Sequence, residues 1–309
     1  NNNTAVGVCA LGANTTGHTN VAVGNNSLDA NTTGCKNTAV GRHALSSNTT
    51  ADNNTAVGRC ALTANTTGAQ NVAIGASAAC SLTTAGSVTV IGHNAFSAST
   101  TGGETVAIGD NTMECNTTGC RNVAIGNGAM FENTTGECNT AVGRIALQKN
   151  TTGCYNTAFG HEALNKNTTA GNNTAVGNKA LYTNTVGFDN AAFGRSALCL
   201  LTDGDYNTAI GAGSMAKTTT GLRNTAVGNN SLICNTTGSG NTAVGGTDAG
   251  TIPAMWKNTT GAYNSAFGTA SLADNTEGDY NTTVGYHAGR NVTTGDNNLL
   301  LGKEAGVTG

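Results

Sequence analysis

Residues 139–155 read Asn139-Thr140-Ala141-Val142-Gly143-Arg144-Ile145-Ala146-Leu147-Gln148-Lys149-Asn150-Thr151-Thr152-Gly153-Cys154-Tyr155. This is one copy of a unit, N-T-A-V-G-x-x-A-L-x-x-N-T-T-G-x-x. Its first glycine returns every 17 residues from Gly7 to Gly245 and then, after six extra residues, at Gly268, Gly285 and Gly302. Eighteen copies account for the chain, so a single repeat domain is expected over 1–309, with an insertion within 246–263 and hardly any residues left for a separate catalytic domain.

The unit does not suit a helix. It carries two Gly-bounded stretches rich in Thr, Asn and β-branched residues, which disfavour helix and favour extended chain. Seventeen residues fit one turn of a coil with two short strands, one at Thr-Ala-Val and one near Ala-Leu, joined by tight turns that need glycine at φ > 0. The expected fold is therefore all-β: a parallel β-solenoid, or β-roll, of about eighteen coils. At a strand spacing of about 4.8 Å it would form a rod of roughly 85 Å.

Composition agrees with a solenoid. There are 44 glycines and one proline, aromatic residues make up 4% and charged residues 10%, values outside ordinary globular usage. The net charge of −3 is small and scattered, so neither nucleic acid nor an anionic membrane is an expected partner. No apolar run of about 18 residues is present, so no membrane insertion is expected in this segment. Residues 1–12 already belong to a repeat and do not resemble a signal peptide. The pattern stops at both ends without an evident cap, which fits a longer parent chain or end-to-end stacking.

Phase within the unit suggests how the coil packs. The Val slot is always large and apolar (Val6, Ile74, Phe159, Phe193, Phe267, Leu301), and the slot before it is nearly always Ala (Ala5, Ala22, Ala39, Ala141, Ala243). Neighbouring strand residues point to opposite faces. The expectation is that Val fills the coil and the Ala-lined face packs against another chain, giving a homo-oligomer or filament. Asn opens sixteen of the eighteen units, Val88 and Thr105 being the exceptions, and is expected to form an amide ladder along the axis. The Thr pairs, such as Thr15-Thr16 and Thr151-Thr152, would form hydroxyl rows.

The motif N-x-A-[VI]-G, as in Asn71-Val72-Ala73-Ile74-Gly75 and Asn122-Val123-Ala124-Ile125-Gly126, resembles the head repeat of YadA-type trimeric autotransporter adhesins. Similar N-T-A-V-G-x-x-A-L-x-x-N-T-T-G arrays look like those of bacterial surface proteins and phage tail fibres. The resemblance implies a left-handed parallel β-roll, packing of three chains, a place outside the cell or on a virion, and host-surface or matrix ligands. This unit is longer than the usual one of that family and lacks its second S-x-A-x-G half.

A longer rhythm lies over the short one. Cys35 and Cys154, Cys80 and Cys199, and Cys115 and Cys234 are each separated by 119 residues, seven units, which suggests duplicated blocks at roughly 14–132 and 133–257. Cys120, Cys138 and Cys154 fall on neighbouring turns and are disulfide candidates, alongside the plainer reading of half-buried thiols. No C-x-x-C motif occurs, and His18, His43, His93, His161 and His287 sit in variable slots, so neither a metal nor another cofactor is expected.

The leading functional expectation is a structural or adhesive extracellular fibre, with no catalytic residues. A glycan-bearing scaffold is the alternative, because N-x-T occurs at Asn14, Asn31, Asn48, Asn65, Asn116, Asn133, Asn150, Asn167, Asn235 and Asn258. A carbohydrate- or ice-binding face is a third reading, disfavoured because adjacent threonines point to opposite sides. The insertion, with Pro253, Met255 and Trp256 and one acid, Asp248, reads as a contact loop in which tryptophan either anchors a partner or packs over the coil edge.

Overall fold

The computed structural model describes residues 2–247 and 251–307. It divides into two units, Asn1–Tyr155 and Asn156–Gly309. The first contains nine three-residue strands, from Thr4–Val6 to Thr140–Val142, and the second nine more, from Thr157–Phe159 to Leu299–Leu301. Within each unit every strand pairs in parallel with the strand one coil on, in a register that sets like on like: Ala22 on Ala39, Ala39 on Ala56, Ala209 on Ala226. No helix occurs among the described residues, and the chain is a β-solenoid.

Each coil has one strand, not two. The Ala-Leu segment is a run of turns in which leucine adopts a left-handed backbone, with φ of 49° at Leu28 and 50° at Leu45. The segment still bonds from coil to coil, Leu28 N–H to Ala44 O and Ala30 N–H to Ser46 O. A left-handed residue breaks the alternation of faces, so Ala44 and Leu45 are both wholly buried although adjacent. Leucine does not normally take this conformation, which is why a strand is the natural reading of Ala-Leu.

The strand faces are the reverse of the expectation. The middle alanines, among them Ala22, Ala39, Ala56, Ala141 and Ala243, have no exposure, while the Val slot reaches 39% at Ile74, 54% at Phe159 and 41% at Phe193. Association through an Ala-lined face is therefore excluded, since those methyls lie inside the chain's own coil. The interior is so thin that Ala from the strand wall and Leu from the turn wall fill it. The opening Asn is two residues before the Ala and shares its phase, so it points inward as well.

Two asparagine ladders close the interior. In the first, Asn20 Oδ1 accepts the Asn37 N–H (2.9 Å) and Asn20 Nδ2 donates to Gly34 O (2.8 Å), and the pattern continues at Asn37 and Asn54. In the second, side chain bonds side chain: Asn31 Nδ2 donates to Asn14 Oδ1 (2.9 Å), Asn48 to Asn31 (2.9 Å) and Asn65 to Asn48 (3.1 Å). The threonine rows work differently from the expectation, because Thr15 and Thr32 donate to the Thr carbonyl of the next coil and not to another hydroxyl.

Glycine closes each strand for a definite reason. At Gly24 φ is +136°, and a Cβ there would lie 2.6 Å from the Gly41 carbonyl oxygen of the next coil, so both conformation and approach exclude a side chain.

Candidate functional sites

Two surfaces stand out from the repeating coil. The first is the outward face of the strands. The first and third residues of each strand point away from the interior, and across all eighteen strands these positions hold only Thr, Val, Ile, Phe, Ala, Ser and Leu. No strand contains a charged residue. In the first unit the third-position row runs through Val40, Val57, Ile74, Ile91, Ile108 and Ile125, and in the second it includes Phe159, Phe193 and Phe267. Phe193 shares its strand face with Ala191 and Phe267 with Ser265, the only two strands whose first residue is smaller than threonine. Phe159, by contrast, shares its face with Thr157. Charges lie in the turn slots instead, where they pair between coils: Arg121 with Glu104 at 3.4 Å, Lys149 with Glu132, and Lys179 with Glu162 at 3.3 Å.

The second surface is a concavity beside the insertion, within the second unit. The chain leaves the coil after Gly245 and returns at Ala254, whose N–H bonds Gly245 O at 3.0 Å. Thr247 N–H bonds Asn229 O in the preceding coil, and Ile252 O accepts Ala270 N–H from the following one, so both limbs are tied down. Met255 then fills the left-handed leucine slot and Asn258 rejoins the second asparagine ladder. Asn230, Ile233, Thr247, Thr251, Ile252, Pro253 and Trp256 surround a space of about 370 Å³. Of the three insertion residues singled out in the sequence, Met255 is a core residue with no exposure, Pro253 is buried but lines the concavity, and Trp256 is 38% exposed. Asp248 lies outside the described residues.

The sequons are corrected by burial. Asn31, Asn48, Asn65, Asn116, Asn133, Asn150, Asn167, Asn235 and Asn258 all have zero exposure, and only Asn14 is partly exposed. A folded coil uses both N–H groups of the amide, Asn31 Nδ2 for instance donating to Asn14 Oδ1 and to Gly34 O. A glycan on that nitrogen would remove these bonds and occupy space held by the neighbouring coils. These asparagines are rungs of the interior ladder.

That ladder has breaks. Leu82, Leu201 and Val292 occupy its slot, and the buried oxygens just before them, Asn65 Oδ1, Asn184 Oδ1 and Asn275 Oδ1, have no hydrogen-bond partner. The breaks at Leu82 and Leu201 are 119 residues apart, the spacing of the cysteine pairs.

All ten cysteines are free thiols. Cys120, Cys138 and Cys154 do not share a slot: Glu137 N–H donates to Cys154 Sγ at 3.3 Å, whereas Cys138 N–H donates to the Cys120 carbonyl. Cys35 and Cys154 are acceptors for the coil before them, as Asp205 and Asp279 are in the same slot. Burial pushes the thiols of Cys115, Cys120 and Cys199 above their ordinary range, with the charges of Glu114 and Glu132 adding to it at Cys115. Protonated thiols are poor nucleophiles. Among the described residues no group of three or more His, Cys, Asp or Glu is placed to hold a metal ion.

Comparison with protein-family models and with curated protein sequences gives no match to this chain.

Proposed function

We propose that this chain is a structural module of an extracellular fibre and that further copies of the chain cover the outward strand face. The observation that carries the reading is the uncharged, mostly apolar face repeated on all eighteen strands. Nine strands about 4.8 Å apart, each three residues of about 3.3 Å, give a face of roughly 430 Å² per unit. Each unit's face thus supplies about half of the 800 Å² or so that one partner contributes to a stable protein interface. A patch of about 430 Å² is in the size range of the largest apolar patch on a typical monomer, which is often functional. A second copy is the partner with the matching repeat and the same lack of charge. Placement at a cell or virion surface follows from the resemblance to adhesin heads and tail fibres and is part of the proposal.

Sedimentation of wild type and variants tests it. Ile108→Glu combined with Ile125→Glu puts two charges on the first unit's face and is expected to weaken association at least about 100-fold, since unpaired buried charge is costly. Thr118→Glu, in an exposed turn, is expected to leave it unchanged. A wild-type chain that is monomeric at about 50 µM, well above the micromolar range of a modest interface, overturns the proposal.

A further inference from the structure

We infer that the concavity beside Trp256 is a binding site for one neutral sugar unit, a pyranose ring presented at the end or on a branch of a glycan. Its walls are of three kinds. Trp256 offers a partly exposed indole, and Ile233, Ile252 and Pro253 continue the apolar surface around it. Asn230 and Thr247 bring an amide and a hydroxyl, and neither side chain makes a hydrogen bond to the protein, whereas the interior asparagines have their amide N–H groups committed to the ladders. None of the seven lining residues is ionisable. Lys257, next to Trp256 in the chain, packs 5.8 Å from the Trp256 ring and pairs with Asp274 at 2.8 Å.

Those features select the ligand by chemistry. A lining without charge among the described residues disfavours phosphates and carboxylates, which would lose hydration without compensation. An indole beside uncommitted polar groups matches a molecule with an apolar C–H face and hydroxyls at its edge, which is the character of a pyranose ring. The space of about 370 Å³ lies at the lower end of the range for small-ligand sites, so it admits a single ring and not a chain. Thr247 and Ile252 are each bonded to a neighbouring coil, which holds these two parts of the lining in place. The other units lack the six extra residues, so the site occurs once per chain. It stands independently of the strand face, because all seven lining residues lie outside the strands.

Trp256 is the only tryptophan, so its fluorescence reports on this site alone. The full chain would be titrated with methyl β-D-galactopyranoside, methyl α-D-mannopyranoside and N-acetyl-D-glucosamine, with glucuronate as a charged control and cyclohexanol as an apolar one. The expected result is a saturable change with at least one neutral sugar, in the low millimolar range for so small a ligand, and none with glucuronate. Asn230→Ala and Thr247→Val retain the fluorophore and are expected to weaken that sugar about tenfold each while the circular dichroism spectrum is unchanged. Absence of a saturable response to all three neutral sugars overturns the inference. So does an equal response to cyclohexanol, or a sugar response untouched by both substitutions.

Discussion

The break in the asparagine ladder makes position within the ladder, and not the residue lost, the determinant of cost. Asn48 is an internal rung: its Nδ2 donates to Asn31 Oδ1 (2.9 Å) and Ala51 O (3.1 Å), and its Oδ1 accepts from Asn65 Nδ2 (3.1 Å). Replacing it with leucine leaves Asn31 Oδ1 and one N–H of Asn65 newly unpaired inside the coil, while Ala51 O keeps Asn37 Nδ2 at 2.8 Å. Asn65 is the last rung before Leu82, and its Oδ1 is already unpaired. Asn65→Leu orphans Asn48 Oδ1 but abolishes that existing orphan, and Gly68 O keeps Asn54 Nδ2 at 2.9 Å. Leucine fits this slot, as buried Leu82 and Leu201 demonstrate, and the apolar burial gained is common to both variants. Two extra unsatisfied groups at about 1–3 kcal/mol each make Asn48→Leu the less stable by about 4 kcal/mol. Urea unfolding followed by circular dichroism measures the gap, with comparable slopes required for both proteins because repeat arrays need not unfold in two states. Equal stability of the two variants, or a greater loss in Asn65→Leu, refutes the reasoning.

Three further outcomes are expected. Gly109→Ala should cost at least about 3 kcal/mol, because φ is +136° and its Cβ would meet the Gly126 carbonyl at 2.7 Å; thermal unfolding measures it. Chain secreted from a glycosylating host should show no N-linked sugar at the nine buried sequons by intact mass. Stability should fall as pH rises above the ordinary thiol value: the folded state holds its protons more tightly at Cys115, Cys120 and Cys199 than the unfolded chain does, so the contribution is full below that value and is lost above it. Unfolding midpoints from neutral to alkaline pH, compared with the triple Cys→Ala protein, read this out.

Much of the coil was legible in residues 139–155. The glycine beat, the parallel stacking of like on like and the structural role of the opening Asn follow from periodicity and turn chemistry. The insertion was legible as a break in pattern, but not that Met255 re-enters the core while Trp256 stays outside. The sequons illustrate how a local motif misleads, since Asn-Thr-Thr reads as an acceptor site until the stacked coils bury its amide. One signal for the correct strand face was present: Asn20 and Ala22 share a phase, so an interior amide ladder places the alanines inside with it. No comparable signal marked the left-handed leucines, whose conformation is held by bonds to the next coil, such as Leu45 N–H to Ala61 O.

The amino-acid sequence by itself determined the period, the parallel β-solenoid and the two alternating phases of each strand, because these depend on spacing alone. Only the tertiary structure decided which phase faces inward, which thiols and amides are buried, and where the repeat opens into a concavity. Those depend on the width of the interior and on left-handed turns, and both are set by bonds between residues 16 or 17 positions apart.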